Sequence, residues 1–224
     1  MNMKYSAILF DFDGTLLESG PCIISSLRTA LADMGFDELA ALGDEALRPM
    51  VGPPLREGFL EYLKLPPERV GEAMDTYRAH AADPMALALL KPYGGVVEML
   101  QSLRARGHKL AIVTAKLYEV SELHLKVSGL AGMVDYLSAT RTDHGCDKAR
   151  LIFEAMGALG ADPGHTVMVG DRLYDMDAAS RAGIPGIGVL YGYGGREELE
   201  AHGATQIVQS VERLYSLLTE QEDS

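Results

Sequence analysis

The 224-residue sequence is poor in cysteine, since it contains only Cys22 and Cys146 and no CxxC pair. A chain of this length needs no disulfide to hold its core, and so few cysteines suit a reducing compartment. Both residues are therefore predicted to be small buried hydrophobic side chains.

Long apolar runs are also missing. No stretch approaches the roughly 18 consecutive apolar residues that a membrane helix needs. The opening Met-Asn-Met-Lys-Tyr-Ser leads into a short apolar stretch that Asp11 interrupts, unlike the apolar region of about 7–15 residues in a signal peptide. A soluble, cytoplasmic protein with no membrane partner is expected.

Basic residues are in deficit, with 20 Lys and Arg against 32 Asp and Glu and a net charge of −12. Surfaces that bind nucleic acid polymers or anionic membranes need clustered Lys and Arg, so neither partner is expected. A small phosphorylated metabolite remains possible as a partner, because a bound metal and a few local cations reverse the field within one cleft.

Short apolar runs alternate with helical patterns along most of the chain. The runs are continuous, as in strands that are covered on both faces, and the connections are short. They predict a doubly wound parallel α/β sheet, Rossmann-like, with strands at Ser6–Phe10, Lys109–Val113, Val134–Ser138, Thr166–Val169, Ile187–Tyr191 and Gln206–Val208. Helices are predicted between them at Val96–Arg106, Tyr118–Val127, Lys148–Leu159 and Asp175–Ala182.

The segment that follows the first strand lacks convincing strands and carries helical patterns instead. It predicts helices at Ile23–Met34, Gly43–Val51, Leu55–Leu63 and Pro67–Ala82. An insertion of about 70 residues is too long for a loop. We therefore expect residues 18–90 to form a helical cap domain, and residues 1–17 and 91–224 to form the α/β core. A cap at this point would lie over the carboxyl ends of the strands, where open parallel sheets bind ligands.

Candidate catalytic and metal-binding side chains follow the strand ends or lie at helix starts. Asp11-Phe12-Asp13-Gly14-Thr15 follows the first strand, Thr114 the second, and Gly170-Asp171 the fourth; Lys148 opens a helix, and Asp175 lies four residues after Asp171. Because the ends of parallel strands meet at one edge, these groups are expected to share a cleft. Asp-x-Asp-Gly-Thr also suits a plain turn, but four fixed residues recur by chance only about once in 10⁵ positions.

Clustered carboxylates repel each other unless a cation lies between them, and a hard divalent ion with oxygen ligands is the natural occupant. Mg²⁺ fits best among the common ions. A carboxylate beside it can attack phosphorus, while a second carboxyl serves as general acid and base. Lys148 and Thr114 would then neutralise and hydrogen-bond the phosphoryl oxygens.

The ordered set of motifs resembles the haloacid dehalogenase superfamily of phosphohydrolases, over nearly the whole chain. The resemblance implies that Asp11 is the nucleophile and Asp13 the general acid and base, with Thr114 and Lys148 completing the catalytic set. It also implies a metal site formed by the Asp11 side chain, the backbone carbonyl of Asp13, and the acidic pair Asp171 and Asp175.

Within that superfamily the chain looks like the phosphoglycolate phosphatase and 5′-nucleotidase-like branch, on the strength of Val51–Leu55 and Gly188–Gly194. Two positions depart from the commoner pattern: Ala115 stands where Ser or Asn is frequent, and Ala149 where Pro is frequent. The expected activity is Mg²⁺-dependent hydrolysis of a small phosphomonoester through an aspartyl phosphate.

Several alternatives share part of this chemistry. A 5′-nucleotidase, a β-phosphoglucomutase-type phosphotransferase, a dehalogenase and a phospho-accepting signalling module all use a comparable aspartate. Two further features have weaker functional interpretations. The Gly192–Gly195 loop is expected to be a flexible connector rather than a phosphate cradle, because no Lys-Ser/Thr follows it. Arg56 is either a solvated helix residue or a cap residue that reaches a substrate anion.

Overall fold

The computed structural model describes residues 3–142 and 146–220. Its centre is a six-stranded sheet in the order β5-β4-β1-β6-β7-β8, in which every neighbouring pair is parallel. The predicted doubly wound α/β class is confirmed. The strands are β1 (Ala7–Phe10), β4 (Lys109–Leu117), β5 (Tyr136–Thr140), β6 (Thr166–Gly170), β7 (Gly186–Val189) and β8 (Gln206–Val208). A separate antiparallel pair joins β2 (Leu17–Glu18) to β3 (Lys91–Pro92).

Two hydrophobic clusters cover the two faces of the sheet, and β1 contributes to both of them. Successive side chains of a strand point to opposite faces. Ile8 and Phe10 accordingly lie in one cluster, and Ala7 and Leu9 lie in the other. All four residues of β1 are fully buried, which explains why the strand is a continuous apolar run.

The helices on the two faces follow the strands as expected for a doubly wound sheet. Two of them, α8 and α9, have the bounds that the sequence predicts. Asp147 caps the start of α9 by accepting a hydrogen bond from the Ala149 amide, and Gly160 ends it in the left-handed conformation with φ of 57°. The core helices are α7 (Val96–Ala105), α8 (Tyr118–Val127), α9 (Lys148–Leu159), α10 (Leu173–Ala182), α11 (Arg196–Ala201) and α12 (Val211–Leu218).

The segment between β2 and β3 is helical, as predicted, but more broken than the sequence indicates. A third hydrophobic cluster, separate from the two at the sheet, holds it together around Leu27, Leu31, Leu47 and Phe59. Its α-helices are α1 (Gly20–Asp33), α2 (Asp37–Ala40), α3 (Asp44–Leu47), α4 (Leu55–Glu57), α5 (Val70–Ala81) and α6 (Pro84–Leu87). Short 3-10 turns occupy Arg48–Met50 and Pro67–Arg69, and a π-helical segment occupies Gly58–Tyr62.

Several predicted bounds were wrong for physical reasons. The Gly43–Val51 pattern is divided because Pro49 lacks an amide hydrogen and falls in a 3-10 turn. The strand predicted at Val134–Ser138 lies two residues later, because its register is fixed by the pairing of Ala111 with Tyr136. The β2–β3 pair and helices α2, α6, α11 and α12 were not predicted.

Across the described ranges, none of the helices combines the length and the apolar character required to cross a membrane.

The predicted burial of cysteine holds for Cys22, whereas Cys146 is only partly buried; both are free thiols.

Candidate active site

Asp11 stands directly after β1, at the carboxyl edge of the sheet. Its amide donates a hydrogen bond of 2.8 Å to the carbonyl of Val169, which places it beside the end of β6. The chain then turns back at Gly14, whose φ is 79°, and a side chain there would collide with the carboxylate of Asp171. Glycine therefore permits both the left-handed backbone and the close approach of the two motifs. The Asp11 residue is 5% exposed.

Three carboxylates meet at this edge. Asp11, Asp171 and Asp175 are all buried, and each offers an oxygen within 4.8 Å of the others. We call this group the acidic triad. Asp171 follows β6, where its Oδ2 accepts a hydrogen bond of 2.7 Å from the amide of Tyr193. Asp175 lies in the first turn of α10, and its Oδ2 accepts one of 3.0 Å from the amide of Arg172.

Lys148 provides a cation to the acidic triad from the first position of α9. Its Nζ lies 2.8 Å from Oδ1 of Asp11 and 2.5 Å from Oδ1 of Asp175. The lysine is 8% exposed. Burial alone would lower its pKa, but the two carboxylates outweigh burial and raise it, so the side chain stays charged.

A single ammonium does not balance three buried carboxylates. Burial and the neighbouring Asp175 raise the pKa of Asp11 to about 7. Burial, together with Asp11 and Asp175, raises the pKa of Asp171 well above its ordinary value. An all-oxygen donor set with excess negative charge is what a hard divalent cation binds. The acidic triad therefore fits a divalent metal.

Asp13 has a different environment from the acidic triad. Its Oδ1 accepts a hydrogen bond of 2.7 Å from Nζ of Lys116, and Nζ of Lys116 also lies 3.0 Å from Nδ1 of His124. Burial would raise the pKa of Asp13, but the Lys116 ammonium outweighs burial and lowers the pKa. The carboxylate of Asp13 thus lies outside the triad, and its expected role through the backbone carbonyl stays a prediction.

Thr114 is buried within β4, not beyond its end as the sequence suggested. The strand continues to Leu117 through a register shift after Thr114. The Thr114 hydroxyl accepts a hydrogen bond of 3.2 Å from the amide of Lys116. Thr114, Asp11 and Asp13 all line one cavity of about 160 Å³, whose other walls come mainly from the helical segment, the end of β4 and α8.

Some residues at this edge were not identified from the sequence. Lys116 follows Thr114 by two residues, so the two-residue period of a strand was a usable signal for it. Nothing local indicated His124 or the Tyr193 amide, because both reach the site through the tertiary fold. Arg56, for which two interpretations were open, is exposed and lies on the cavity wall.

Comparison with known proteins places the sequence in a family. Residues 8–189 match the haloacid dehalogenase-like hydrolases, a range that spans β1 to β7 and includes every predicted site residue. The chain belongs to this family. The resemblance inferred from the motifs is therefore confirmed, as is the expected hydrolase class.

Relatives agree with this placement. A 5′-nucleotidase of Pseudomonas aeruginosa is 34% identical over 227 residues, covering 96% of both chains. A phosphoglycolate phosphatase of Caulobacter vibrioides is 32% identical, covering 93% of this chain and 89% of its own. A crystal structure of a "predicted phosphatase" from Clostridium acetobutylicum superposes with a TM-score of 0.88 at 32% identity, covering 96% of this chain and 98% of that one.

Proposed function

We propose that this chain is a Mg²⁺-dependent phosphatase that hydrolyses a small phosphomonoester through an aspartyl phosphate on Asp11. The observation that carries the proposal is the pairing of Asp11 with Lys148 at 2.8 Å, and Asp11 also lines a cavity together with Asp13 and Thr114. A nucleophile, a candidate acid–base group and a hydroxyl donor thus line one cavity. This combination is what phosphoryl transfer through a covalent intermediate requires.

The proposed Mg²⁺ site comprises Asp11, Asp171 and Asp175, with the backbone carbonyl of Asp13 as a further ligand. The preference for Mg²⁺ rests on oxygen ligands and on the association of this ion with phosphate substrates. When bound, Mg²⁺ would neutralise negative charge on the phosphoryl oxygens. The hydrogen bonds from the amides of Tyr193 and Arg172 hold the carboxylates of Asp171 and Asp175 in place.

The protein's own groups supply the remaining steps. A carboxylate oxygen of Asp11 forms a bond to phosphorus as the bond from phosphorus to the ester oxygen breaks, and the protonated form of Asp13 gives its proton to the departing alcohol. Asp13 then takes a proton from water, whose oxygen attacks phosphorus and regenerates Asp11. Lys148 and the Thr114 hydroxyl bind the phosphoryl oxygens in both steps. The Lys116 ion pair favours the ionised Asp13 that acts as base in the second step.

We also propose that residues 18–90 form a cap domain over this cavity, with residues 1–17 and 91–224 as the core. The separate hydrophobic cluster of the helical segment supports this division. So does the cavity itself, because Met50 and Met74 from the helical segment line it together with Asp11 and Thr114 from the edge of the sheet.

A phosphate-release assay with Mg²⁺ across phosphoglycolate, nucleoside monophosphates and sugar phosphates tests the proposal. We expect release from at least one class, without a bisphosphate primer, and loss of release in EDTA. Dependence on a bisphosphate primer would indicate a mutase instead. Activity that survives EDTA would contradict the metal-dependent mechanism and favour a dehalogenase-type site.

A further inference from the structure

The cavity at Asp11 is divided into a polar floor and apolar walls. Asp11, Asp13 and Thr114 form the floor. Most of the wall is apolar: Ile23, Met50 and Leu55 come from the helical segment, and Leu117, Val120 and Leu123 from the end of β4 and from α8. Its polar residues include Arg56, Glu57, Tyr77 and Arg78. A phosphoryl group bound at the floor would therefore direct the rest of its ester towards apolar side chains.

Few charged side chains lie on the walls. Asp13 is paired with Lys116 at 2.7 Å and Asp11 with Lys148 at 2.8 Å, which leaves Arg56, Glu57 and Arg78 as the charged residues of the walls. A carboxylate on the leaving group would lose its hydration wherever it contacts the apolar side chains, which is unfavourable.

The size of the cavity indicates how large an apolar group it accepts. Its volume is about 160 Å³. Apolar cavities of about 150 Å³ in other proteins accept a molecule as large as benzene. The phosphoryl group on the floor takes part of this volume, so the carbon body beside it must be smaller than benzene. A two-carbon leaving group such as glycolate would leave much of the wall without a contact, whereas a chain of about three to four carbons would cover it.

We infer, on the basis of the proposed phosphatase function, that the substrate is a phosphomonoester of an alcohol with an apolar body of about three to four carbons. The phosphate lies on the polar floor, and the carbon body contacts Val120 and Leu123, which are one helical turn apart on α8. Phosphoglycolate, whose leaving group is small and charged, is a poor substrate for this cavity.

A series of n-alkyl phosphates tests the inference, because methyl to butyl esters differ in apolar area and little in the reactivity of the leaving group. With Mg²⁺ present, we expect kcat/KM to rise about fourfold for each methylene that enters the cavity. Butyl phosphate is expected to exceed phosphoglycolate in kcat/KM.

A matched pair of variants locates the effect on the cavity wall. Val120→Thr keeps the side-chain shape but adds a hydroxyl to the wall, and Val120 is only partly buried, so the helix tolerates the change. We expect it to reduce the butyl-to-methyl ratio of kcat/KM at least threefold. Val127→Thr makes the same substitution on the same helix at a residue that is 45% exposed and outside the cavity, and it should preserve the ratio.

Four results would overturn the inference. A flat or falling alkyl series, or a kcat/KM for phosphoglycolate above that for butyl phosphate, would do so while leaving the phosphatase proposal intact. An unchanged ratio in Val120→Thr would show that the ester does not contact this wall. If no ester releases phosphate above the level of Asp11→Asn, the proposed function fails and the inference fails with it.

Discussion

Lys116 and Asp13 form a buried ion pair, with Nζ and Oδ1 separated by 2.7 Å and side chains that are 12% and 11% exposed. Nδ1 of His124 lies 3.0 Å from the same ammonium. Burial and then Lys116 lower the pKa of His124 to about 3, so this imidazole is neutral and accepts a hydrogen bond from Lys116. The arrangement fixes the ammonium beside Asp13 and thereby orients the proposed acid–base group.

Lys116→Met is therefore expected to slow turnover. The ionised Asp13 loses its partner, and removal of a proton from water in the second step becomes harder. We expect kcat to fall at least about tenfold, since general acid–base catalysis contributes about 10²–10⁴-fold. The phosphoenzyme, measured by rapid acid quench, should form a larger fraction of the protein at steady state. Lys126→Met, at an exposed position of the same helix that carries His124, is the control; equal kcat in both variants would contradict this role.

The raised pKa of Asp11 predicts how stability depends on pH in the absence of metal. The folded protein holds the proton of Asp11 up to about pH 7, whereas the ordinary value is 3.8. The stabilisation of the folded protein that comes from this proton is therefore complete below about pH 4. It is lost as pH rises towards 7 and above. In EDTA, the Tm of the wild type relative to Asp11→Asn should fall from pH 5 to pH 8. If the Tm of the wild type relative to Asp11→Asn stays constant or increases with pH, Asp11 does not hold a proton in the folded protein.

Asp171→Asn tests the metal site without an activity assay. Removing one of three repelling carboxylates should leave the Tm in EDTA equal to that of the wild type or above it, because asparagine still accepts the Tyr193 hydrogen bond. The Mg²⁺ concentration needed to raise Tm should increase at least about tenfold. Removing even a group that only hydrogen-bonds a metal ligand lowers metal affinity by about that factor. Asp177→Asn, on the exposed face of the same helix, should retain the wild-type Mg²⁺ response. A normal response in Asp171→Asn would exclude this residue as a ligand.

Arg172, which follows Asp171 in the sequence, contacts the helical segment. Its guanidinium donates a hydrogen bond of 2.6 Å to the carbonyl of Val51 and one of 2.8 Å to Glu198, and its side chain is 9% exposed. Arg172→Met should lower the free energy of unfolding, measured in urea, by about 3 kcal/mol, the range found when a buried ion pair is broken.

Arg181→Met is the matched control for Arg172→Met. It breaks an ion pair with Asp147 whose side chains are 62% and 49% exposed, so its cost should stay below about 1 kcal/mol. Equal losses in the two variants would show that the Arg172 contacts contribute no more than a surface pair.

The predictable parts of the fold were those with a strong local signal. The helix Lys148–Leu159 was found with its correct bounds because its apolar period ends at Gly160, which adopts the left-handed conformation. The strand at Val134–Ser138 was misplaced because an apolar run shows that a strand exists but not where its pairing begins. The pairing of β2 with β3 depends on contacts between residues more than 70 positions apart, and no local pattern reports them.

The same distinction applies to the candidate site. Strand ends in a parallel sheet converge, so the positions of Asp11 and Asp171 were predictable, whereas Thr114 lies within β4 because that strand is longer than its apolar run. The hydrogen bond from the Tyr193 amide to Asp171 was not, because any residue other than proline carries that donor. The Gly192–Gly195 loop, which was expected to be a flexible connector, supplies this contact and also accepts a hydrogen bond from Arg48 at the carbonyl of Gly192.

The central claim is that Asp11 carries the phosphoryl group, and rapid acid quench followed by mass spectrometry of the peptide that contains Asp11 tests it most directly. With Mg²⁺ and an ester that the wild-type enzyme hydrolyses, the peptide should gain the mass of one phosphoryl group. Asp11→Asn should fold, show no such adduct and release no phosphate. Substantial phosphate release by purified Asp11→Asn, or a phosphoryl group on another residue, would contradict the account.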